Sequence, residues 1–235
     1  MRCEMQVDIG IIGAMSVEVD TLIAKLENRR EETVGSIKFN TGNLYGKNVV
    51  VAKCGVGKVF AAICAEAMII RYSPTLLVNT GVGGALASDL RPTDTVFAES
   101  LVQHDMDTSP LGDPKGLVSG INKVYFEADT RAVSILSAAA ARLGIKARGG
   151  RVATGDRFVA SKAEKGRIVS EFSADVCEME GGAIAHTAFV NGTPFVVIRA
   201  ISDSADGGAD MDYMEFLPIA AKNSAALTLE LIKEW

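Results

Sequence analysis

The stretch CEMEGGAIAH, residues 177–186, sets Glu178 and Glu180 either side of Met179, between apolar sequence and a glycine pair. Carboxylates are almost never fully buried without partners. At a strand end these two would point to one face and repel, while at a helix start the macrodipole would favour them. Four other stretches carry comparable groups. GAMSVEV puts Glu18 in the first turn of a helix, NTGVGGAL (79–86) has Gly81, Gly83 and Gly84, TGDRFV places Phe158 on a loop, and in RAISDSAD (199–206) Arg199 and Asp203 flank an apolar strand terminus. The glycines permit close backbone approach by a ligand. At least two acids, an arginine, an aromatic ring and a glycine turn suit cleavage of a glycosidic bond, which uses one acid for the leaving group and one base for water. A planar purine would stack on the ring, and ribose hydroxyls would seek a carboxylate acceptor.

Each group also has a plain structural explanation. Glu18 is an ordinary helix-start carboxylate, Phe158 a core residue and Asp203 a turn residue, while Arg199 pairs with a nearby acid. NTGVGG lacks the G-x-G-x-x-G spacing of a dinucleotide fingerprint. His104, followed by DMD, has the look of a metal ligand, but His104 and His186 are the only histidines, so no metal and no cofactor is expected. What gathers these groups is the arrangement of the elements that carry them.

Apolar runs predict strands near 7–14, 37–44, 48–53, 76–81, 95–103, 147–154, 174–179 and 195–202, with helices at 16–27, 58–72, 129–143, 161–172, 180–191 and 214–233. IGIIGA, LLVNTG and FVVIRAIS lack polar alternation, as expected of strands covered on both faces. Strand–helix alternation implies an α/β fold with a mixed, mostly parallel sheet and helices on both sides. No repeat or linker interrupts it, so one domain over 1–235 is expected. Long polar loops fall at 104–123, 154–160 and 203–213; a loop near 20 residues normally binds something or meets a partner. In open α/β sheets ligands sit beyond the carboxyl ends of the strands, where these residues lie.

The 235 residues are 48% hydrophobic and 23% charged, ordinary for a globular protein. A net charge of −5 without a Lys/Arg cluster argues against nucleic acid as a partner. No apolar run reaches the length of a membrane span, and MRCEMQVDIGIIGAM does not read as a signal peptide. Cys3, Cys54, Cys64 and Cys177 form no CxxC pair, which points to reduced thiols and a cytoplasmic location.

Taken in order, GAMSVEV, NTGVGG, TGDRFV, CEME with AIAH, and RAISDSAD resemble the 5′-methylthioadenosine/S-adenosylhomocysteine nucleosidases of the nucleoside phosphorylase superfamily, over nearly the whole chain. The resemblance implies a three-layer α/β/α domain that hydrolyses methylthioadenosine, adenosylhomocysteine or 5′-deoxyadenosine to adenine. It implies that Glu18 takes a proton from the attacking water and Asp203 donates one to N7 of adenine. Glu180 would hold the ribose hydroxyls, with Met179 against the sugar and Glu178 as a second member of the ribose pocket. Phe158 would stack on adenine and the Val159 backbone read its amino edge; Arg199 would help position the water, and Ser202 would bond the Asp203 carboxyl. Val82 and Gly83 would border the substrate, and Val56, Thr108, Leu111 and Tyr213 would form the pocket for the 5′ group. To act near neutral pH the Asp203 carboxyl must hold its proton, which burial favours.

Two departures stand out. Val82 replaces a common serine, so water placement falls more on Glu18 and Arg199. Thr108 and Leu111 stand where larger apolar groups are usual, and Tyr213 replaces a phenylalanine. In such nucleosidases a neighbouring subunit closes the 5′ pocket, so loop 104–123 implies a homodimer. A phosphorylase needs arginines or several donors for phosphate, and Glu18 would repel the dianion. A non-catalytic nucleoside-binding protein is the alternative of another class.

Overall fold

The computed structural model describes residues 6–207 and 209–235, excluding the side chains of 210–212; Cys3 and Gly208 lie outside the described residues. In chain order the elements are β1 (Ile9–Gly13), α1 (Ser16–Ala24), β2 (Glu27–Val34), β3 (Ile37–Leu44), β4 (Lys47–Lys53), α2 (Lys58–Tyr72), β5 (Leu76–Ala85) and β6 (Thr95–Gln103). There follow β7 (Phe126–Glu127), α3 (Thr130–Leu143), β8 (Ala147–Thr154), α4 (Lys162–Phe172), β9 (Val176–Glu178), α5 (Gly181–Val190), β10 (Phe195–Asp203) and α6 (Ala209–Glu234).

All ten strands belong to one sheet, ordered β10-β6-β8-β9-β5-β1-β4-β3-β2, with β7 beside β6. Because β10 also pairs with β5, strands β5, β10, β6, β8 and β9 close into a ring. Pairing is parallel for β4–β1–β5–β10 and β6–β8–β9, whereas β2–β3, β3–β4, β5–β9, β6–β10 and β6–β7 are antiparallel. The sheet is thus mixed in equal measure, not mostly parallel. Helices α2 and α5 pack together on one face, and α1 and α3 pack on α6 across the other. The core runs through β1, β4, β5 and β10, whose apolar residues are fully buried. This follows from the absence of polar alternation: strands covered on both faces need apolar residues on both.

Helix starts follow their caps. The Asp129 side chain accepts from the Ala132 amide at 2.9 Å and opens α3, and the Ser161 hydroxyl accepts from Glu164 at 3.2 Å and opens α4. Three expectations change. The first helix ends at Ala24, and ENRREETV forms β2, an edge strand exposed on nearly every residue. Its stability comes from backbone pairing to β3, which leaves no apolar pattern to read. The strand predicted at 76–81 continues to Ala85 through the glycines, and α6 begins at Ala209, so Tyr213 is helical and the loop after β10 is short.

Candidate active site

A cavity opens at the carboxyl ends of the parallel strands, where ligands sit in open α/β sheets. Its walls come from the β1–α1 turn, the β4–α2 loop, β5, the β8–α4 loop, β9 with the start of α5, the end of β10, and α6. Every residue proposed from the sequence lines it except Gly81, Arg199, Thr108 and Leu111.

Glu18 is the third residue of α1 and its side chain turns back over the helix start. One carboxylate oxygen accepts from the Ala14 amide at 2.7 Å and from Met15 at 2.9 Å, and the other accepts from the Val82 amide at 3.2 Å. The helix-start explanation and the site explanation therefore describe one geometry. Burial pushes the Glu18 carboxyl above its ordinary 4.5, against the pull of Arg199 and those three donors. Gly81 makes this approach possible, because a Cβ there would stand 2.5 Å from Glu18 Oε1. The glycines of β5 leave room for the protein's own carboxylates, since a Cβ on Gly84 would lie 2.7 Å from Asp203 Oδ1.

Glu178 and Glu180 divide sharply. Glu178 accepts from the Glu180 and Gly181 amides at 3.0 and 2.7 Å, from Arg199 Nε at 3.2 Å, and from Arg199 Nη2 and the Thr154 hydroxyl. Burial alone would raise its pKa; Arg199 and these donors more than offset that and hold it below the ordinary value. Glu180 accepts from the Gly57 amide at 2.9 Å, at the N-terminus of α2, and lies 3.9 Å from Arg199. Burial first, then the Glu178 charge, push Glu180 up to about 7. Arg199 was expected beside the water. It lies instead behind the cavity wall, fully buried, donating to Glu178, Asn79 and the Ile198 carbonyl. An arginine with three anions in reach is drawn to the carboxylates and away from the open space.

At the end of β10 the register against β5 slips between Ile201 and Asp203. A bulge of this kind re-aims a side chain, and here Ser202 and Asp203 both line the cavity. The Ser202 hydroxyl donates to Asp203 Oδ2 at 2.8 Å, and the Ala205 amide donates to Oδ1 at 2.9 Å. Across the cavity, Phe158 is half-exposed and meets Tyr213 edge to face at 5.6 Å, and the Tyr213 hydroxyl reaches Met15 Sδ at 3.3 Å. Phe158 is therefore no core residue.

A family model described as "Phosphorylase superfamily" matches residues 8–233. The 5′-methylthioadenosine/S-adenosylhomocysteine nucleosidase of Actinobacillus succinogenes is 36% identical over 227 residues, 96% of this chain and 98% of that protein. The chain belongs to this nucleosidase family. The solved nucleosidase of Neisseria meningitidis, in complex with methylthio-immucillin-A, superposes with a TM-score of 0.94 at 35% identity, covering 97% of this chain and 99% of that one. A futalosine hydrolase of Helicobacter pylori superposes with a TM-score of 0.93 at 33% identity, covering 97% and 98%.

Within the nucleosidase fold, Thr108 and Leu111 are a correction: they do not reach the cavity of their own chain. The Thr108 hydroxyl donates to Asp113 at 2.8 Å, and Leu111, in a 3-10 turn, is 85% exposed. Among the described residues no cluster of His, Cys, Asp or Glu is arranged to hold a metal; Asp105 is engaged by Lys58 at 2.7 Å and Asp107 by the Ser109 amide at 2.9 Å. Sequence reasoning missed Ala14, Met15, Arg157 and Cys177 on the cavity wall, and Asn79, Gly57 and Thr154 behind it. Most sit beside a residue already singled out, so adjacency was the available signal. Asn79 and Gly57 act through pairings between distant segments, which no local pattern announces.

Proposed function

We infer that this chain hydrolyses the N-glycosidic bond of 5′-substituted adenine nucleosides, methylthioadenosine and adenosylhomocysteine, releasing adenine and a 5′-substituted ribose. The names of its relatives support the substrate class, and one observation supports water over phosphate as nucleophile. The cavity is walled by four carboxylates, Glu18, Glu178, Glu180 and Asp203, and Arg157, mostly exposed, is the one lining cation among the described residues. A phosphate dianion needs a nest of donors and positive charge; neutral water does not. In this reading Glu18, its pKa raised by burial, accepts a proton from water at the anomeric carbon. Asp203, steadied by Ser202, protonates N7 of the departing base. Glu180 holds the ribose hydroxyls beside Met179, Phe158 stacks on adenine, and the Val159 backbone reads its amino edge. Arg199 and Glu178 form the charged floor that orients Glu180.

In this reading the 5′ substituent lies against Val56 and Tyr213, which line the cavity. The likeness to a futalosine hydrolase favours a second reading, a nucleoside with a larger 5′ group. We further propose a cytoplasmic homodimer. Supporting this, α2 exposes Val59, Phe60, Ile63 and Ile70, and Leu111 stands bare on its loop; no described helix is long and apolar enough to cross a membrane. The test is release of free nucleobase in phosphate-free buffer, adenine or hypoxanthine according to the substrate, with methylthioadenosine, adenosylhomocysteine, 5′-deoxyadenosine and futalosine in competition. Release from the first two without phosphate is expected. Strict phosphate dependence overturns hydrolysis, and preference for futalosine installs the second reading.

A further inference from the structure

We propose that Lys165 is a positioning residue for Asp203: it stitches the ends of β5 and β10 together just beyond the bulge and so fixes where the carboxyl points. The inference rests on the reading of Asp203 as the acid. The β5–β10 ladder is regular up to Ile201 opposite Gly83, then slips, leaving Asp203 opposite Gly84. A bulge aims a side chain but interrupts backbone pairing at that point. Past it, β5 stops at Ala85 and the chain leaves β10 through Ser204 and Ala205. Ala205 has φ of +49°, a left-handed conformation that a residue with a Cβ adopts at a cost. Such a conformation persists where surroundings over-determine it.

Lys165 supplies that determination. It lies in the first turns of α4, and its ammonium donates to the Ala85 carbonyl at 2.8 Å and to the Ser204 carbonyl at 2.8 Å. The same side chain thus grips the last residue of β5 and the residue next to Asp203. Within this knot the Ala205 amide holds Asp203 Oδ1. Space is tight, since a Cβ on Gly84 would stand 2.7 Å from Asp203 Oδ1, 3.0 Å from Ala205 Cβ and 3.2 Å from Cys177 Sγ. Loosening Ser204 frees Ala205 to relax towards ordinary dihedrals, withdraws its amide from Oδ1 and turns the carboxyl. Lys165 touches neither base nor sugar in this account; it acts through Asp203.

The experiment compares K165M, K165R and the unaltered enzyme on two substrates. One is methylthioadenosine, whose adenine must be protonated to leave. The other is the 4-nitrophenyl glycoside of the same 5-methylthioribose, whose phenolate leaves unprotonated. K165M is expected to lose about tenfold or more in kcat on the nucleoside, with KM little changed, because small misplacements of a catalytic group are costly. On the nitrophenyl glycoside it is expected to lose less than about threefold, as general acid help is not used there. K165R, which keeps the charge and several donors, is expected to recover most of the nucleoside activity. If K165M gives no folded protein, K165Q is read in the same way. Equal losses on both substrates, or no loss, overturn the role of Lys165. An unaltered enzyme inactive on methylthioadenosine instead defeats the proposed function.

Discussion

Glu178 and Glu180 lie two residues apart beside the same arginine, yet the protein holds one below its ordinary pKa and pushes the other up to about 7. Burial raises both; at Glu178 the guanidinium, two amides and a hydroxyl more than offset it, while Glu180, with the Gly57 amide and a more distant Arg199, is raised further by the Glu178 charge. E178A should strip the buried Arg199 of its main partner, leaving Glu180 at 3.9 Å, at a cost of up to about 3–5 kcal/mol, read as a fall in the denaturant midpoint. Glu180 titrates from 4.5 in the unfolded chain to about 7 in the folded one. The native state therefore holds the extra proton, and its stabilising effect is complete below pH 4.5 and lost as pH rises through 7. E180Q should consequently melt higher than the unaltered protein at pH 8, by up to about 3 kcal/mol, with the gap closing towards pH 4.5, while ribose binding is lost. Calorimetry at the two pH values checks this; a constant gap contradicts it. At Asp203, D203N should lose about 10²–10⁴-fold in turnover while still binding a substrate analogue, and near-normal turnover removes it from the mechanism.

Among the elements, β5 shows how a strand gives up side chains to let others in. Gly81 and Gly84 face Glu18 and Asp203 so closely that a Cβ there would stand 2.5 and 2.7 Å from a carboxylate oxygen. G81A is expected to lose at least about tenfold in kcat/KM and to melt lower than the unaltered protein, since the carboxylate it displaces is buried and held by three amides. Unchanged kinetics would show that the Glu18 position is not critical. The same glycines explain why NTGVGG reads as a turn: glycine weakens a strand pattern, and the reason for it lies in residues more than sixty positions away. IGIIGA, NVVVAK and FVVIRAIS were legible as β1, β4 and β10 because burial on both faces writes itself as an unbroken apolar run. The edge strand β2 carries no such mark, and the bulge at Ser202 depends on pairing with β5, which sequence spacing does not encode. Glu18 and Asp203 were legible as candidates; that Arg199 serves Glu178 was not, because its partner is set by topology.

On the scale of the molecule, the sheet brings seven chain segments to one cavity, while α2 turns apolar side chains outward beside it. Val59 is 69% exposed and Ile63 55% exposed, and contiguous apolar patches of this kind mark interfaces. Sedimentation should report a dimer, and I63E should shift it to monomer and lower kcat/KM through the unclosed 5′ pocket; a monomeric unaltered protein with full activity contradicts this. The claim on which everything else stands is that water, not phosphate, attacks the sugar. Mass spectrometry of the ribose product after turnover of methylthioadenosine with phosphate present tests it most directly. Free 5-methylthioribose is predicted; 5-methylthioribose 1-phosphate, or intact nucleoside, would contradict it.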